Sequence, residues 1–207
     1  MKTYKANGFF KTVLHWSTRA TGFCLFLWLS GCHLTDGETP GAATNGVKPK
    51  SMAIISERES HQLSTERDSL FHCPENQFMT GRHHFLDENH PTWYFCSKGF
   101  QFQPITIVNK TWTPLVPERD TDYVRCAANQ VVTGREHRDD EGGKSRLECG
   151  TPMGYAGPMQ VTPEVPWIHF DEEYDSRFDC PENRVMVGRY HYGDEHGTTK
   201  YLCATLW

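Results

Sequence analysis

Three short segments of the chain gather side chains able to do chemistry, and they gather them in the same order. Gly81-Arg82-His83-His84 leads to Asp87-Glu88, Gly134-Arg135-Glu136-His137 to Asp140-Glu141, and Gly188-Arg189-Tyr190-His191 to Asp194-Glu195. An Arg and a His two residues apart on a strand share a face, and the acidic pair falls at the turn beyond them. Three chemistries fit. In a structural one the Arg bridges to the acids across a hairpin, the His caps a backbone group and the Gly admits a close neighbour. In a ligand-binding one, Arg82, His84, Asp87, Glu88, Arg135, His137, Asp140, Glu141, Arg189, His191, Asp194 and Glu195 recognise sugar hydroxyls beside a platform of Trp93, Tyr94, Tyr190 and Tyr192. In the third, His plus carboxylates hold calcium or a transition metal, although no cofactor or metal site is assigned.

The clusters belong to an internal repeat. Cys73–Cys96, Cys126–Cys149 and Cys180–Cys203 each enclose 22 residues, and the copies start 53 and 54 residues apart. Eight positions are identical in all three: both cysteines, an Asn, the Gly-Arg pair, a His and the Asp-Glu pair. Lead segments precede the loops, and Glu66-Arg67-Asp68-Ser69 in the first echoes Glu118-Arg119-Asp120-Thr121 in the second. Six cysteines allow 15 pairings in general. The strict spacing selects Cys73–Cys96, Cys126–Cys149 and Cys180–Cys203, and the absence of any CxxC knuckle speaks against zinc.

Within each loop, apolar residues alternate at period two (Phe78 with Thr80, Val131 with Thr133, Val185 with Val187). A polar turn and a second short run follow. That pattern predicts a β-hairpin closed at its base by the cysteine pair. The leads, as in Pro104-Ile-Thr-Ile-Val108, suit further strands, and no helical periodicity follows residue 60. The expected fold is all-β, with three disulfide-closed hairpin units of about 53 residues in a pseudo-threefold, trefoil- or prism-like closed arrangement. The expected domain spans 52–207, with units 52–96, 97–149 and 150–203.

The loop pattern resembles the dermatopontin-type repeat: a cysteine, a glycine eight residues on, a polar residue three later, acids in the turn, and an aromatic strand ending in a partner cysteine. That resemblance implies a non-catalytic adhesive or lectin-like module binding sulfated or other glycans.

The N-terminal 31 residues read as an export signal. Lys2, Lys5, Lys11 and Arg19 precede the run Gly22-Phe-Cys-Leu-Phe-Leu-Trp-Leu29, which is too short to span a bilayer. Leu29-Ser30-Gly31-Cys32 resembles a bacterial lipobox, which implies cleavage and lipidation at Cys32 and, with His33 following, an outer-membrane lipoprotein. Residues 32–51, rich in Gly, Pro and small polar types, read as a flexible tether. Cys24 is lost with the leader.

Residues 1–31 hold four bases and no acid, so the remainder carries a formal charge of −9 against −5 for the whole chain. Such a surface is a poor partner for phosphate backbones, which excludes nucleic acid. No G-x-S-x-G, H-E-x-x-H or phosphate-binding loop occurs, and three near-equal copies suit multivalent binding better than one catalytic centre. The working expectation is a membrane-anchored, multivalent, non-enzymatic carbohydrate-binding surface around His84, His137 and His191. The alternative is a structural or protein-binding envelope lipoprotein whose repeated cluster is purely structural.

Overall fold

The period-two alternation of each loop becomes strand. The computed structural model describes residues 51–118, 122–140, 143–194 and 196–207. The expected leader, the tether up to residue 50, Cys24 and Cys32, together with Glu141 and Glu195, lie outside the described residues. The described residues form strands and turns only. The first third contains β1 (Ile54–Leu63), β2 (Leu70–His72), β3 (Phe78–His84), β4 (Thr92–Gln101) and β5 (Gln103–Pro104). The second contains β6 (Thr106–Trp112), β7 (Val116–Pro117), β8 (Asp122–Arg125), β9 (Val131–Arg138), β10 (Lys144–Gly154) and β11 (Gly157–Pro158). The last contains β12 (Val161–Pro163), β13 (Ile168–Phe170), β14 (Arg177–Asp179), β15 (Arg184–Tyr192) and β16 (Thr198–Leu206). The chain is all-β.

The expected hairpins are β3–β4, β9–β10 and β15–β16, and each becomes the middle of a sheet. On one side of each hairpin lies a lead strand of the same third: β1 on β4, β6 and β7 on β10, β12 and β13 on β16. On the other side lies the strand that precedes a different hairpin's cysteine. β2 pairs with β9, β8 with β15, and β14 returns to β3. Every third therefore lends an edge strand to another third's sheet, so the units read from the sequence do not coincide with the sheets.

The disulfides Cys73–Cys96, Cys126–Cys149 and Cys180–Cys203 sit at the hairpin bases, with Cα–Cα distances of 5.7, 5.5 and 5.9 Å. Five of the six cysteines join Met79, Tyr94, Val132, Leu147, Met186 and Tyr201 in one buried cluster, and Cys180 packs against it. A second cluster, including Phe78, Ile105, Val131, Val161, Val185 and Leu206, fills the opposite side.

Two further repeated residues explain how the sheets join. Each loop turns on a left-handed Asn (Asn76, Asn129, Asn183, φ 57–60°), a conformation Asn tolerates better than most residues. Each Asn Oδ1 accepts the backbone N–H that begins a lead strand of another third: Ile107, Val161 and Ile55, all at 3.0 Å. Each hairpin also skips one residue in register, at Thr80, Thr133 and Val187. The freed carbonyls of these three accept the N–H groups of Cys180, Cys73 and Cys126 at 2.8–2.9 Å. The bulge is thus the point where the neighbouring strand docks.

Candidate functional site

The Arg-His faces of the three hairpins point inward. Arg82, His84, Arg135 and His137 are each 2% exposed, with Arg189 and His191 at 5% and 6%. Their partners are three glutamates from the leads, Glu66, Glu118 and Glu173, also buried. Six charged side chains alternate around a closed circuit. Arg82 pairs with Glu66 and Glu173, and Arg135 with Glu66 and Glu118. Arg189 reaches Glu118 at 2.6 Å and both oxygens of Glu173 at 2.7 Å. Every carboxylate bridges two guanidinium groups, and every guanidinium joins two carboxylates.

The histidines flank this circuit. His84 Nδ1 lies 2.8 Å from Glu66, His137 Nε2 3.6 Å from Glu118, and His191 Nδ1 2.8 Å from Glu173. Two tyrosine hydroxyls complete it: Arg135 donates to Tyr94 Oη at 3.1 Å and Arg82 to Tyr201 Oη at 3.3 Å. The matching position of the second hairpin is Leu147, which lines a small recess beside Glu118, Arg189 and His191.

Burial and pairing set the protonation states. Burial pushes His84 down to about 4, with the Arg82 charge adding to the effect. Burial and then Arg135 do the same to His137, again to about 4. Both are neutral at pH 7. Burial by itself would raise Glu118 and Glu173, but Arg189 foremost, joined by Arg82 at Glu173, overcomes it and holds both below the usual carboxylate range. Burial opposes the charge of Arg82, and Glu173 more than compensates. Burial pushes the Tyr94 hydroxyl up to about 12. Three guanidinium and three carboxylate charges cancel, which is the condition for retaining charge in a core.

These positions correct the expected site. The carboxylates that the arginines pair with are those of the leads, Glu66, Glu118 and Glu173. Of the turn acids, Asp87 Oδ1 accepts the Asn89 N–H at 2.9 Å and lies 2.7 Å from His90 Nδ1, which lowers the Asp87 pKa. Asp194 Oδ1 caps the His196 N–H at 3.0 Å. The Asp140 carboxylate is 3.5 Å from Arg67 on the surface. Glu88 is buried near His84, and its carbonyl holds the N–H groups of Glu66 and Arg67 at 2.9 and 2.8 Å. Tyr94, expected in an aromatic platform, is fully buried and stacks on Phe71 at 4.4 Å. The structure therefore brings Arg82, Arg135, Arg189, His84, His137 and His191 together, away from solvent and from the aspartates. Among the described residues no group of three or more His, Cys, Asp or Glu side chains is placed to hold a metal ion.

The residues missed by sequence reasoning are the glutamates. Their signal is a third copy of the lead motif, Glu173-Tyr174-Asp175-Ser176, beside the two already seen. Glu66, Glu118 and Glu173 precede their own unit's arginine by 16, 17 and 16 residues.

Inside, the three sheets are alike; outside, they differ. On the first sheet His83 stacks on Trp93 at 5.1 Å, and Arg58 and Arg177 cover Phe95. On the second, Arg146 lies 4.7 Å over Trp112 while also pairing with Glu136 at 2.5 Å. On the third, Tyr123 meets Trp167 edge-on at 4.9 Å and Tyr190 at 4.4 Å, with Lys200 Nζ 5.0 Å over the Tyr190 ring. Tyr123 and Tyr192 are both more than half exposed on this face. Comparison with protein-family models, curated proteins and solved structures finds no match to this chain.

Proposed function

We propose that the chain is an exported, non-catalytic, lipid-anchored binding protein of the bacterial outer membrane that recognises carbohydrate, built as a closed, pseudo-threefold, prism-like arrangement of three units. The exchange of edge strands around the three hairpins supports the closed arrangement. The observation that carries the binding reading is the open aromatic group on the third sheet, Tyr123, Trp167 and Tyr190 with Tyr192 and Lys200 beside it. The exposed rings of Tyr123 and Tyr192, backed by the half-buried Trp167 and Tyr190, offer a sugar an apolar face to stack on, and the polar donors beside them orient its hydroxyls. Because the recurrent residues are internal and the outer faces differ, this reading has one platform instead of three equal sites, and the Arg-Glu-His circuit is its scaffold.

Glycan-array screening tests it. Binding is expected for the parent chain and is expected to vanish in Tyr123→Ala with Tyr192→Ala, the two exposed rings, while the melting temperature holds within the small range typical of surface substitutions. An array with no binding overturns the reading. That outcome leaves the alternative, a structural or protein-binding envelope lipoprotein, which the burial of the repeated cluster favours.

A further inference from the structure

One end of the domain carries a cluster of exposed apolar and aromatic side chains. β4 and β5 meet in a tight reversal with Phe102 at its tip, and β10 and β11 meet in another with Tyr155 at its tip. The two rings touch edge to face at 6.1 Å. They are 60% and 58% exposed, and the adjacent cross-strand pair Ile54 and Phe100 is 58% and 47% exposed. Scattered apolar residues on a surface are ordinary; four in contact or in register at one pole are not. At the far ends of the three hairpins stand polar turns holding Asp87, Asp139, Asp140 and Asp194.

The chain enters the fold at the apolar pole. Ser51 O accepts a hydrogen bond from Gln101 Nε2, next to Phe102, and the Ala53 N–H is bonded to Leu206 O at 2.9 Å. Met52 and Ile54, the first exposed apolar residues of the fold, extend the same patch. Nineteen peptide steps separate Ser51 from Cys32, a reach of at most roughly 70 Å. An anchor at Cys32 therefore joins the domain at this pole.

We propose that this pole, Ile54, Phe100, Phe102 and Tyr155, is a membrane-docking face that inserts into the interfacial layer of the bilayer carrying the lipid anchor. The inference rests on the lipid-anchor reading. Aromatic rings favour the headgroup boundary, and apolar tips gain free energy by leaving water there. A docked pole turns the three outer sheet faces, and the Tyr123–Trp167–Tyr190 platform with them, sideways along the membrane.

The lipidated full chain is reconstituted into vesicles of phosphatidylethanolamine and phosphatidylglycerol containing acyl-chain-brominated phosphatidylcholine. Phe102→Trp places a reporter at the apolar pole and Asn89→Trp one at the far, polar turn. The added emission of Phe102→Trp is expected to be quenched at least about twofold more than that of Asn89→Trp. Equal quenching, or none, overturns the docking face while leaving the anchor intact. A Cys32 that mass spectrometry finds unlipidated overturns the anchor and the docking face together. Light scattering that shows a dimer dispersed by Phe102→Ser with Tyr155→Ser assigns the pole to a second copy of the chain and also overturns it.

Discussion

At the core of the molecule, charge is kept where most proteins place leucine. An isolated guanidinium there would cost several kcal/mol, and removing one partner from a buried pair typically costs about 3–5 kcal/mol. The circuit avoids isolation by sharing: Glu66, Glu118 and Glu173 each serve two arginines, so the charges cancel locally. The histidines make this core sensitive to acid. An unfolded His titrates near 6.5, whereas His84 and His137 take up a proton only near pH 4 in the fold. Between those values the unfolded chain binds more protons than the native one, so stability falls as pH falls through that window. Each site accounts for about 3 kcal/mol across the window. Below it, Glu118 and Glu173, held low by their arginines, withdraw further stability as they protonate. Denaturant midpoints measured from pH 7 to pH 4 are expected to drop steeply in the parent. His84→Gln with His137→Gln is expected to flatten that slope, and an unchanged slope would place the sensitivity elsewhere.

At the scale of elements, the repeated glycine shows how closely neighbouring thirds approach. A Cβ at Gly81 would lie 2.5 Å from the Phe178 carbonyl oxygen, and one at Gly134 would lie 2.5 Å from that of Phe71. Both obstacles are backbone on a docked strand, which cannot step aside without loosening β14 from β3 or β2 from β9. At Gly188 the equivalent carbonyl oxygen, that of Val124, is farther off at 3.1 Å, with Arg125 Cβ and the Trp167 ring at 3.0 Å. Gly81→Ala and Gly134→Ala are therefore expected to cost about 2–3 kcal/mol, as overpacking does, and Gly188→Ala about 1 kcal/mol or less. Thermal melts of the three variants rank them; equal costs would show that the carbonyl contact is not the constraint. Much at this scale was legible in the sequence. Equal spacing between cysteines led to the hairpins and their disulfides, and alternation led to strands. Alternation also placed Arg82 with His84 on one face, but it does not say which face is the core when the inward side chains are themselves charged. Burial patterns assume apolar means inside, and here the most deeply buried large side chains include Arg82 and Arg135. The glutamates stayed hidden because each lies in a lead whose kinship is reduced to a four-residue motif. The edge-strand exchange stayed hidden because nothing in β2, β8 or β14 distinguishes a partner in its own hairpin from one in another.

At the scale of the whole chain, the pairings run in a cycle, and a cycle has no dispensable member. The last third gives β14 to β3, Glu173 to Arg82, the Asn183 side chain to the Ile55 N–H and the Cys180 N–H to the Thr80 carbonyl. A linear stack of repeats loses one interface when its last member is removed, and the remainder stays folded. Here removal of the last third opens the first third at four places at once and leaves Arg82 with one carboxylate. It also strips Glu118 of Arg189. The disulfides do not substitute for these contacts, because each stays within its own hairpin, where closing such a loop is worth about 3 kcal/mol. A chain ending at Gly154, with both of its disulfides formed, is expected to lack a cooperative thermal transition and dispersed amide resonances. Adding residues 155–207 as a separate polypeptide is expected to restore both, since the cycle needs the strand pairings and not the covalent link. If the two-thirds chain melts cooperatively on its own, the thirds are independent units and the cycle does not hold the molecule together.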